Sequence, residues 1–217
     1  MKRICPSLLA IVTILFIAAV APAGEARKAV PLPEPQMQGG RPLMQVLKDR
    51  SSGRSFSPEK LPLQVLSNLL WAAFGINRPE SGHRTAPSAR NWQEIDIYVA
   101  TADGLYLYEP KEHLLRQVLS EDIRAMTGTQ AFVREAPINL VYVADQARMS
   151  GASPEDGERY AAADTGFIAE NVYLFCASER LATVVRGSVD RAGLARTMKL
   201  RPEQRIMLAQ TIGYPGK

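Results

Sequence analysis

The spacing of apolar residues along the chain predicts where helices begin and end. Leu63 to Phe74 carries an apolar side chain every three or four positions, which is the period of a helix, and Gly75 can end it. A shorter pattern of the same kind runs from Leu43 to Leu47. Gly157 to Leu181 is long and apolar on nearly every side, which indicates a helix buried in its own domain or at a subunit interface.

Other stretches follow the patterns of strands. Ile95 to Val99 alternates and is rich in β-branched and aromatic residues. Asp103-Gly104 predicts a tight turn with Leu105 to Tyr108 as the returning strand, and Ile138 to Val143 reads as a strand buried on both faces. The remaining predictions are a polar loop over 77–92, a helical stretch over 114–126, a strand over 182–185, a helix over 190–198 and a strand over 205–212. This order predicts an α+β fold, a central mostly antiparallel sheet flanked by helices.

The first residues have the layout of a secretory signal peptide. Lys2 and Arg3 precede an apolar run from Leu8 to Val20, and Ala21-Pro22-Ala23 offers a cleavage site of the small-x-small type. We therefore predict a signal peptide at residues 1–23, export to the periplasm, and no stable membrane insertion after cleavage. An uncleaved anchor is the alternative, although the apolar run is short for a membrane span.

Composition and charge narrow the classes of function. Residues 24–42 are rich in proline and glycine and predict a linker, so the folded domain is expected at residues 43–217. Cleavage would remove Lys2 and Arg3 and lower the formal charge from +4 to +2. That charge, without a basic stripe, argues against a nucleic-acid partner. The chain has no Cys-x-x-Cys, so no metal site is predicted, and His113, in a charged run, is expected to be solvated.

The segment after the first predicted helix is suited to an anion. The guanidinium groups of Arg50 and Arg54 offer planar two-point hydrogen bonding, and the hydroxyl of Ser52 adds a donor. Together they can surround a phosphate. A solvated turn at the end of a helix would have the same composition.

Two later segments place hydrogen-bonding groups at strand ends. The loop from Arg84 to Gln93 precedes a strand, and within it Asn91 can both donate and accept, as the edge of a planar heterocycle requires. The segment 184–187 leads from an apolar strand toward a helix start and offers free backbone N–H groups for a ring nitrogen or a negative charge. For the first segment, the alternative is an ordinary polar loop. For the second, it is a strand-to-helix connection capped by Asp190.

The ordered set of segments resembles the nitroreductase superfamily over about residues 43–217. Within it, the chain is similar to the thiazoline- and oxazoline-oxidase-like (SagB-type) dehydrogenases. The resemblance rests on Arg-x-Ser-x-Arg after a helix, Ala86-Pro87-Ser88 followed by Asn91-Trp92-Gln93, an alanine-rich helix, a short strand, and Ile-Gly-Tyr-Pro at 212–215. Arg84-Thr85 resembles the oxidase-like branch, whereas Asn-x-Gln resembles the general nitroreductases.

The resemblance implies a nitroreductase-like fold and a homodimer with two FMN sites at its interface. By position, FMN contacts would come from Arg50, Ser52, Arg54, Asn91, Arg186, Gly187 and Lys217. The two N-terminal arginines and the serine would hold the phosphate and ribityl chain, and the asparagine would lie near the isoalloxazine ring. The backbone amides of the Arg-Gly pair would approach flavin N5. The lysine either completes the phosphate site or belongs to a frayed end.

The implied activity is that of an FMN-dependent oxidoreductase. Hydride or electrons would pass through flavin N5, in ping-pong fashion, to or from a small-molecule or peptide-derived substrate. No catalytic side chain is predicted, since the flavin carries the redox chemistry. Two alternatives stay open: an exported flavin-binding protein without turnover, and a degenerate scaffold that binds no flavin. The residue pattern names neither the substrate nor the electron donor, and it assigns no role to His83 or Trp92.

Overall fold

The computed structural model describes residues 28–216, and its centre is a seven-stranded sheet. Nine strands are found in the described residues, seven of them in this sheet and two in a separate hairpin. They are β1 (Ala29–Pro31), β2 (Ile76–Arg78), β3 (His83–Arg84), β4 (Ile95–Thr101), β5 (Gly104–Glu109), β6 (Leu114–Leu119), β7 (Ile138–Asp145), β8 (Ala182–Arg186) and β9 (Gln204–Gly213). The helices are α1 (Leu43–Asp49), α2 (Leu63–Phe74), α3 (Pro154–Glu179) and α4 (Arg191–Met198). The predicted signal peptide and Lys217 lie outside the described residues. Within residues 28–216, no helix is long and apolar enough to cross a membrane.

The sheet has the order β1-β6-β5-β4-β7-β9-β8, and every neighbouring pair is antiparallel. Strands β2 and β3 form a separate small hairpin. The central strand β7 is buried along its whole length, because β4 and β9 pair with it on either side and helices cover both faces. The prediction of a doubly buried strand over 138–143 is therefore confirmed.

Alternate side chains of β7 point into two separate cores. On one face, Leu140 and Tyr142 pack in a cluster with Leu69 of α2 and Ile168 of α3. On the other face, Val141 and its neighbours pack against α4 in a second cluster. This two-sided burial gives helices on both faces of an antiparallel sheet, and the predicted α+β fold is confirmed.

The predicted helical stretch over 114–126 is wrong. Residues 114–119 form β6, which pairs with β5 on one side and β1 on the other. Short 3-10 turns follow over 124–127 and 131–133. The hairpin between β5 and β6 contains no glycine, and His113 takes the positive φ of 48° there. Without the usual turn residue, the sequence pattern conceals the hairpin.

The predicted linker over 24–42 also differs from the structure in its described part. Ala29–Pro31 forms the edge strand β1, and Leu32 is only 8% exposed. The carbonyl of Pro33 accepts a hydrogen bond from the Ser67 hydroxyl of α2. Proline is tolerated at the edge of a sheet, where its missing N–H has no partner to lose. The folded domain therefore begins before residue 43.

Two local predictions need correction as well. The polar loop expected over 77–92 contains the β2–β3 hairpin and a 3-10 turn over 89–91. His113 is half-buried rather than solvated, with Nε2 2.7 Å from Ser67 Oγ and Nδ1 3.1 Å from Tyr108 Oη. Its burial lowers the pKa of the imidazole. His113 thus joins the β5–β6 hairpin to α2.

Candidate functional site

The arginine loop, residues 50–54, is attached to the outer edge of β8. The amide of Gly53 donates a 3.0 Å hydrogen bond to the carbonyl of Thr183. A side chain at position 53 would place its Cβ 3.1 Å from the Cβ of Ala182, so glycine allows this close approach. Ser52 Oγ lies 2.9 Å from Tyr173 Oη, and that phenol oxygen also accepts the Val185 N–H at 2.9 Å.

The two arginines of the loop carry positive charge that no described acid neutralises. Within residues 28–216, neither Arg50 nor Arg54 forms an ion pair. The neighbouring acid, Asp49, is paired with Arg41. The guanidinium of Arg50 lies over the ring of Tyr173, with Cζ 5.3 Å from the ring centroid. The loop therefore presents two guanidinium groups and a hydroxyl to an anion.

The last described residues run beside the same loop. Gly216 donates to the carbonyl of Ser55 at 3.0 Å, and Pro215 forms a bridge with Phe56. Lys217, the predicted seventh contact, follows directly but lies outside the described residues. The chain segment that leads to it is held next to Arg54.

A chain of side-chain hydrogen bonds orients Asn91. Arg84 Nε donates to Gln93 Oε1 at 2.7 Å, and Gln93 Nε2 donates to Asn91 Oδ1 at 2.8 Å. Gln93 also donates to the carbonyl of Gly82. Asn91 is exposed and its side-chain oxygen is occupied, and within residues 28–216 no hydrogen bond from its Nδ2 is found, which leaves those donors for a ligand. This arrangement gives the Asn-x-Gln pair a physical role: the glutamine fixes the direction of the asparagine.

At the end of β8, the Arg186 side chain points into the domain. It is 4% exposed and donates to Thr211 Oγ1, the carbonyl of Thr127 and Asn139 Oδ1 at 2.7–3.1 Å. Burial lowers the pKa of its guanidinium to about 10, so the group stays charged at neutral pH. The side chain faces neither solvent nor the outer edge of β8.

The backbone amides of Arg186 and Gly187, both predicted to contact a ligand, point in opposite directions. Val185 N–H points away from β9, toward Tyr173. Because N–H direction alternates along a strand, the Arg186 amide faces β9 and the Gly187 amide faces the open edge. No hydrogen bond to the Gly187 N–H is found within residues 28–216. Of the two amides, that of Gly187 is the one available to a ligand.

The predicted contacts form two groups on different sides of α3. Tyr173 holds the arginine loop and β8, whereas Asp164 Oδ2 accepts the N–H of Ala89, next to Asn91. Nine residues separate Asp164 from Tyr173, which is about two and a half helical turns and places them on opposite sides of the helix. The structure thus places Arg50, Ser52 and Arg54 along the outer edge of β8, the strand that Gly187 follows, and it does not bring Asn91 to them within one chain.

Two cavities within residues 28–216 lie away from the predicted contacts. One of about 700 Å³ is lined by side chains that include Phe56, Leu66, Tyr106 and Ile138. A smaller one of about 460 Å³ lies between Arg84, Trp92, Tyr108 and Arg148. None of the six predicted contacts within residues 28–216 lines either cavity. Within residues 28–216, no group of His, Cys, Asp or Glu side chains is arranged to hold a metal ion.

Several residues of the site were not found from the sequence. Tyr173 lies in a helix 121 positions after Ser52, and no local pattern marks a tyrosine as the link between a loop and a strand. Buried Glu94 and Asp164 beneath the 88–93 turn were missed for the same reason. The Asn91-Trp92-Gln93 motif is visible in the sequence, yet the dependence of the asparagine on Gln93 is visible only in three dimensions.

Comparison with known proteins agrees with this architecture. The model of the nitroreductase family matches residues 47–214. A protein of Methanocaldococcus jannaschii, provisionally named a nitroreductase, is 32% identical over 169 residues, which cover 73% of this chain and 85% of that protein. A crystal structure of a provisionally named nitroreductase from Ralstonia eutropha JMP134 is 46% identical with a TM-score of 0.84, and the match covers 90% of this chain and 93% of that one.

A more distant solved structure shares the fold alone. A chain of the Escherichia coli microcin synthetase McbBCD complex is 20% identical with a TM-score of 0.67, covering 94% of this chain and 85% of that one. The family model spans most of the present chain, and the archaeal relative is similar over most of its own length. On these grounds the chain belongs to the nitroreductase family of oxidoreductases.

Proposed function

We propose that the protein is an FMN-dependent oxidoreductase that acts on a small-molecule or peptide-derived substrate. The observation that carries the proposal is the pair of unneutralised guanidinium groups, Arg50 and Arg54, on a loop fixed to the open edge of β8. A phosphate ester supplies the charge that this loop lacks, and a flat ring beside the edge would meet the Gly187 N–H. These features fit the phosphate and ring of FMN.

Each group has a definite task in this proposal. Bound FMN would supply the hydride-accepting and hydride-donating chemistry, as cofactors of this class do. Arg50, Ser52 and Arg54 would hold the phosphate and ribityl chain. The Gly187 N–H would donate to the ring, and buried Arg186 would keep the end of β8 in place through its three hydrogen bonds. No side-chain nucleophile is required.

The proposal includes a homodimer, for a geometric reason. Asn91 and the arginine loop lie on opposite sides of α3, so one flavin reaches both only if Asn91 comes from a second copy. Helices α1 and α3 expose apolar side chains that a second copy would cover: Leu43, Met44, Leu47, Tyr160 and Phe167. Met44 is 76% exposed and Phe167 48%. Exposed apolar groups of this size on adjoining helices are typical of an interface.

The substrate class and the location extend the proposal further. The site lies on an open surface of the single chain, which suits a substrate larger than the flavin ring, including one carried on a peptide. Arg84-Thr85 before Ala86-Pro87-Ser88 supports the thiazoline- and oxazoline-oxidase-like branch. The signal-peptide pattern of residues 1–23 supports export to the periplasm, and fractionation of cells expressing the full chain tests it.

The first experiment is the visible absorption spectrum of residues 24–217, with and without added FMN after removal of the excess. We expect a bound flavin spectrum near one FMN per chain. Arg50→Ala with Arg54→Ala removes two charge-assisted contacts, and we expect FMN affinity to fall at least about 100-fold. The control is Arg196→Ala, an exposed arginine of α4, which should leave FMN affinity unchanged.

The outcomes separate the alternatives. A folded, colourless protein that takes up no FMN would identify a degenerate scaffold. Unchanged FMN retention in the double variant would reject the arginine loop as the phosphate site. A yellow protein whose flavin is not reduced and reoxidised by any donor and acceptor tested would be a flavin-binding protein without turnover. Dimerisation is measured separately, by sedimentation of the parent and of a Phe167→Glu variant.

A further inference from the structure

Two carboxyl groups are buried together between β4 and α3. Glu94, just before β4, is 0% exposed, and Asp164 of α3 is 2% exposed. Their side chains lie within hydrogen-bonding reach of each other. Within residues 28–216 neither forms an ion pair with a basic side chain. Two unpaired negative charges at such a place are strongly unfavourable, so the pair is most stable when it holds one proton.

The hydrogen bonds of Glu94 support this protonation. Its Oε2 accepts from the Ser88 hydroxyl at 3.3 Å, whereas its buried Oε1 has no partner among the described residues. A proton shared with Asp164 accounts for this otherwise unpartnered oxygen. Burial, and then the charge of Asp164, raise the pKa of Glu94 to about 7.

The pair is attached to the turn at residues 88–93. Asp164 Oδ2 accepts the N–H of Ala89 at 2.9 Å. Ser88, which donates to Glu94, accepts the N–H of Gln93 at 2.8 Å. Both ends of the turn are therefore tied to the two carboxyl groups.

The backbone of this turn needs such support. Arg90, Asn91 and Gln93 have φ values of 50°, 55° and 49°. This left-handed region is unfavourable for residues with a side chain, and such residues keep it only when the surroundings hold them there. Three of them within four positions form a strained segment, and Asn91 is at its centre.

We propose that Glu94 and Asp164 are positioning residues that share one proton and thereby hold the turn that presents Asn91. Loss of the shared proton places two negative charges side by side, and the turn relaxes because separation of the carboxyl groups relieves their repulsion. The connection to flavin rests on the proposed function. The anchoring of the turn does not, and it exists in the flavin-free protein.

The other charged groups around the pair are engaged elsewhere. From the loop, Arg84 donates to Gln93 and Phe74, and Arg90 lies over the ring of Trp92. From the 3-10 turn after β7, Arg148 pairs with Asp96 and Asp145. Asp145 also accepts Arg201. These groups neutralise one another or contact neutral partners, so the negative charge of the carboxyl pair has no cation to compensate it.

Trp92 provides a reporter inside the turn. Its ring meets that of Tyr160 edge to face at 5.9 Å between centroids. Trp71 is the other of the two tryptophans in the chain, so Trp71→Phe leaves Trp92 alone. In this background we would record Trp92 emission of the flavin-free protein from pH 5.5 to 8.5. We expect a transition with its midpoint near pH 7, because the pKa of Glu94 is about 7.

Glu94→Gln is the matched variant, since an amide can donate to Asp164 and does not titrate. We expect it to lack the transition and to show at pH 8.5 the emission that the parent shows at pH 5.5. His83→Gln, in the adjoining hairpin, is the control and should keep the transition. If Glu94→Gln fails to fold, as judged by circular dichroism, Asp164→Asn replaces it, because its side-chain oxygen can still accept from Ala89. A parent without a transition, or a variant that keeps it, would overturn the proposal.

A second readout separates this proposal from the proposed function. If Asn91 contacts flavin, FMN affinity of the parent should fall about tenfold between pH 6 and 8.5, and that of Glu94→Gln should stay flat. Failure of FMN to bind at all, with the Trp92 transition present, would reject the flavin site and retain the anchoring. FMN binding with no Trp92 transition would retain the flavin site and reject the anchoring of the turn by Glu94 and Asp164.

Discussion

The hydroxyl oxygen of Ser52 lies 2.9 Å from the phenol oxygen of Tyr173, which is 121 positions later in the chain. The same phenol oxygen accepts the Val185 N–H, so one side chain of α3 connects the arginine loop to the edge strand β8. The ring of Tyr173 also lies beneath the guanidinium of Arg50. An exposed loop thereby acquires a fixed shape before any ligand arrives, which lowers the ordering cost of binding.

Tyr173→Phe tests this connection. The variant keeps the ring but removes the hydroxyl, leaving the Val185 N–H without its acceptor. We expect a loss of about 1–2 kcal/mol in the free energy of unfolding and a 3- to 10-fold weaker FMN affinity, about the worth of one hydrogen bond. Urea unfolding and FMN titration measure the two effects. Tyr160→Phe, on an exposed tyrosine of the same helix, should change neither, and an equal effect of both variants would refute the link.

The buried guanidinium of Arg186 predicts that a substitution at Gly128, which is distant in sequence, lowers stability. A side chain at Gly128 would place its Cβ against Arg186 Nη1, which three hydrogen bonds prevent from moving away. Gly128→Ala should therefore lower the free energy of unfolding by about 1–3 kcal/mol through overpacking. Gly166→Ala is the control, since a Cβ at that position meets no atom within 4 Å apart from the backbone of its own helix.

Arg186→Met removes the guanidinium itself and leaves Thr127, Asn139 and Thr211 short of a donor. Each abandoned acceptor costs about 1–3 kcal/mol, so we expect a total loss of at least about 3 kcal/mol in urea unfolding. A loss below about 1 kcal/mol would mean that the buried network does not support β8. The exposed Arg196→Met is the comparison and should be neutral.

Because β1 and the residues after it pack on the domain, we expect this proline-rich segment to contribute to the free energy of unfolding. Leu32 is 8% exposed and packs in the core shared with α2. Leu32→Ala should cost about 2 kcal/mol, at the low end of such substitutions because the site is at the edge of the core. Met37→Ala, on a side chain that is 60% exposed, should stay within about 0.5 kcal/mol of the parent. Equal stability of both variants in urea would contradict a packed N-terminal segment.

The carboxyl pair predicts how stability depends on pH. The pKa of Glu94 is about 7 in the folded protein and 4.5 ordinarily, so the folded state holds its proton more tightly than the unfolded state. Its contribution is therefore fully present below pH 4.5 and is lost as the pH rises to about 7. Relative to Glu94→Gln, the parent should lose up to about 3 kcal/mol across this window. Parallel urea-unfolding curves for the two proteins between pH 5 and 8 would refute it.

Much of the fold was predictable because its core elements have strong local patterns. The period of α2 and the apolar run 140–144 within β7 are visible in the sequence, and both elements appear at the expected positions. The strand at 114–119 was not predictable in the same way. Its alternation is weak, its turn lacks glycine, and its stability comes from pairing with β5 and β1. β1 was missed for the same reason, since an edge strand of three residues has no pattern apart from its partner.

In the candidate site, too, residues of a local motif were predictable, whereas contacts between distant segments were not. Arg50, Ser52 and Arg54 are adjacent in sequence, and a local motif indicates them. The inward direction of the Arg186 side chain depends on the register of β8 against β9, which no motif encodes. The support of Asn91 by Gln93, Glu94 and Asp164 likewise depends on where α3 passes beneath the loop.

The bridge between Phe56 and Pro215 sets an order of events during synthesis. Ser55 receives its hydrogen bond from Gly216, so the stretch that continues the arginine loop is completed by residues made about 160 positions later. A nascent chain therefore cannot complete the contacts of Ser55 and Phe56 until residue 216 has emerged from the ribosome. If FMN binds at Arg50 and Arg54 as proposed, its capture would wait for these late contacts, and apo-protein would precede the loaded form.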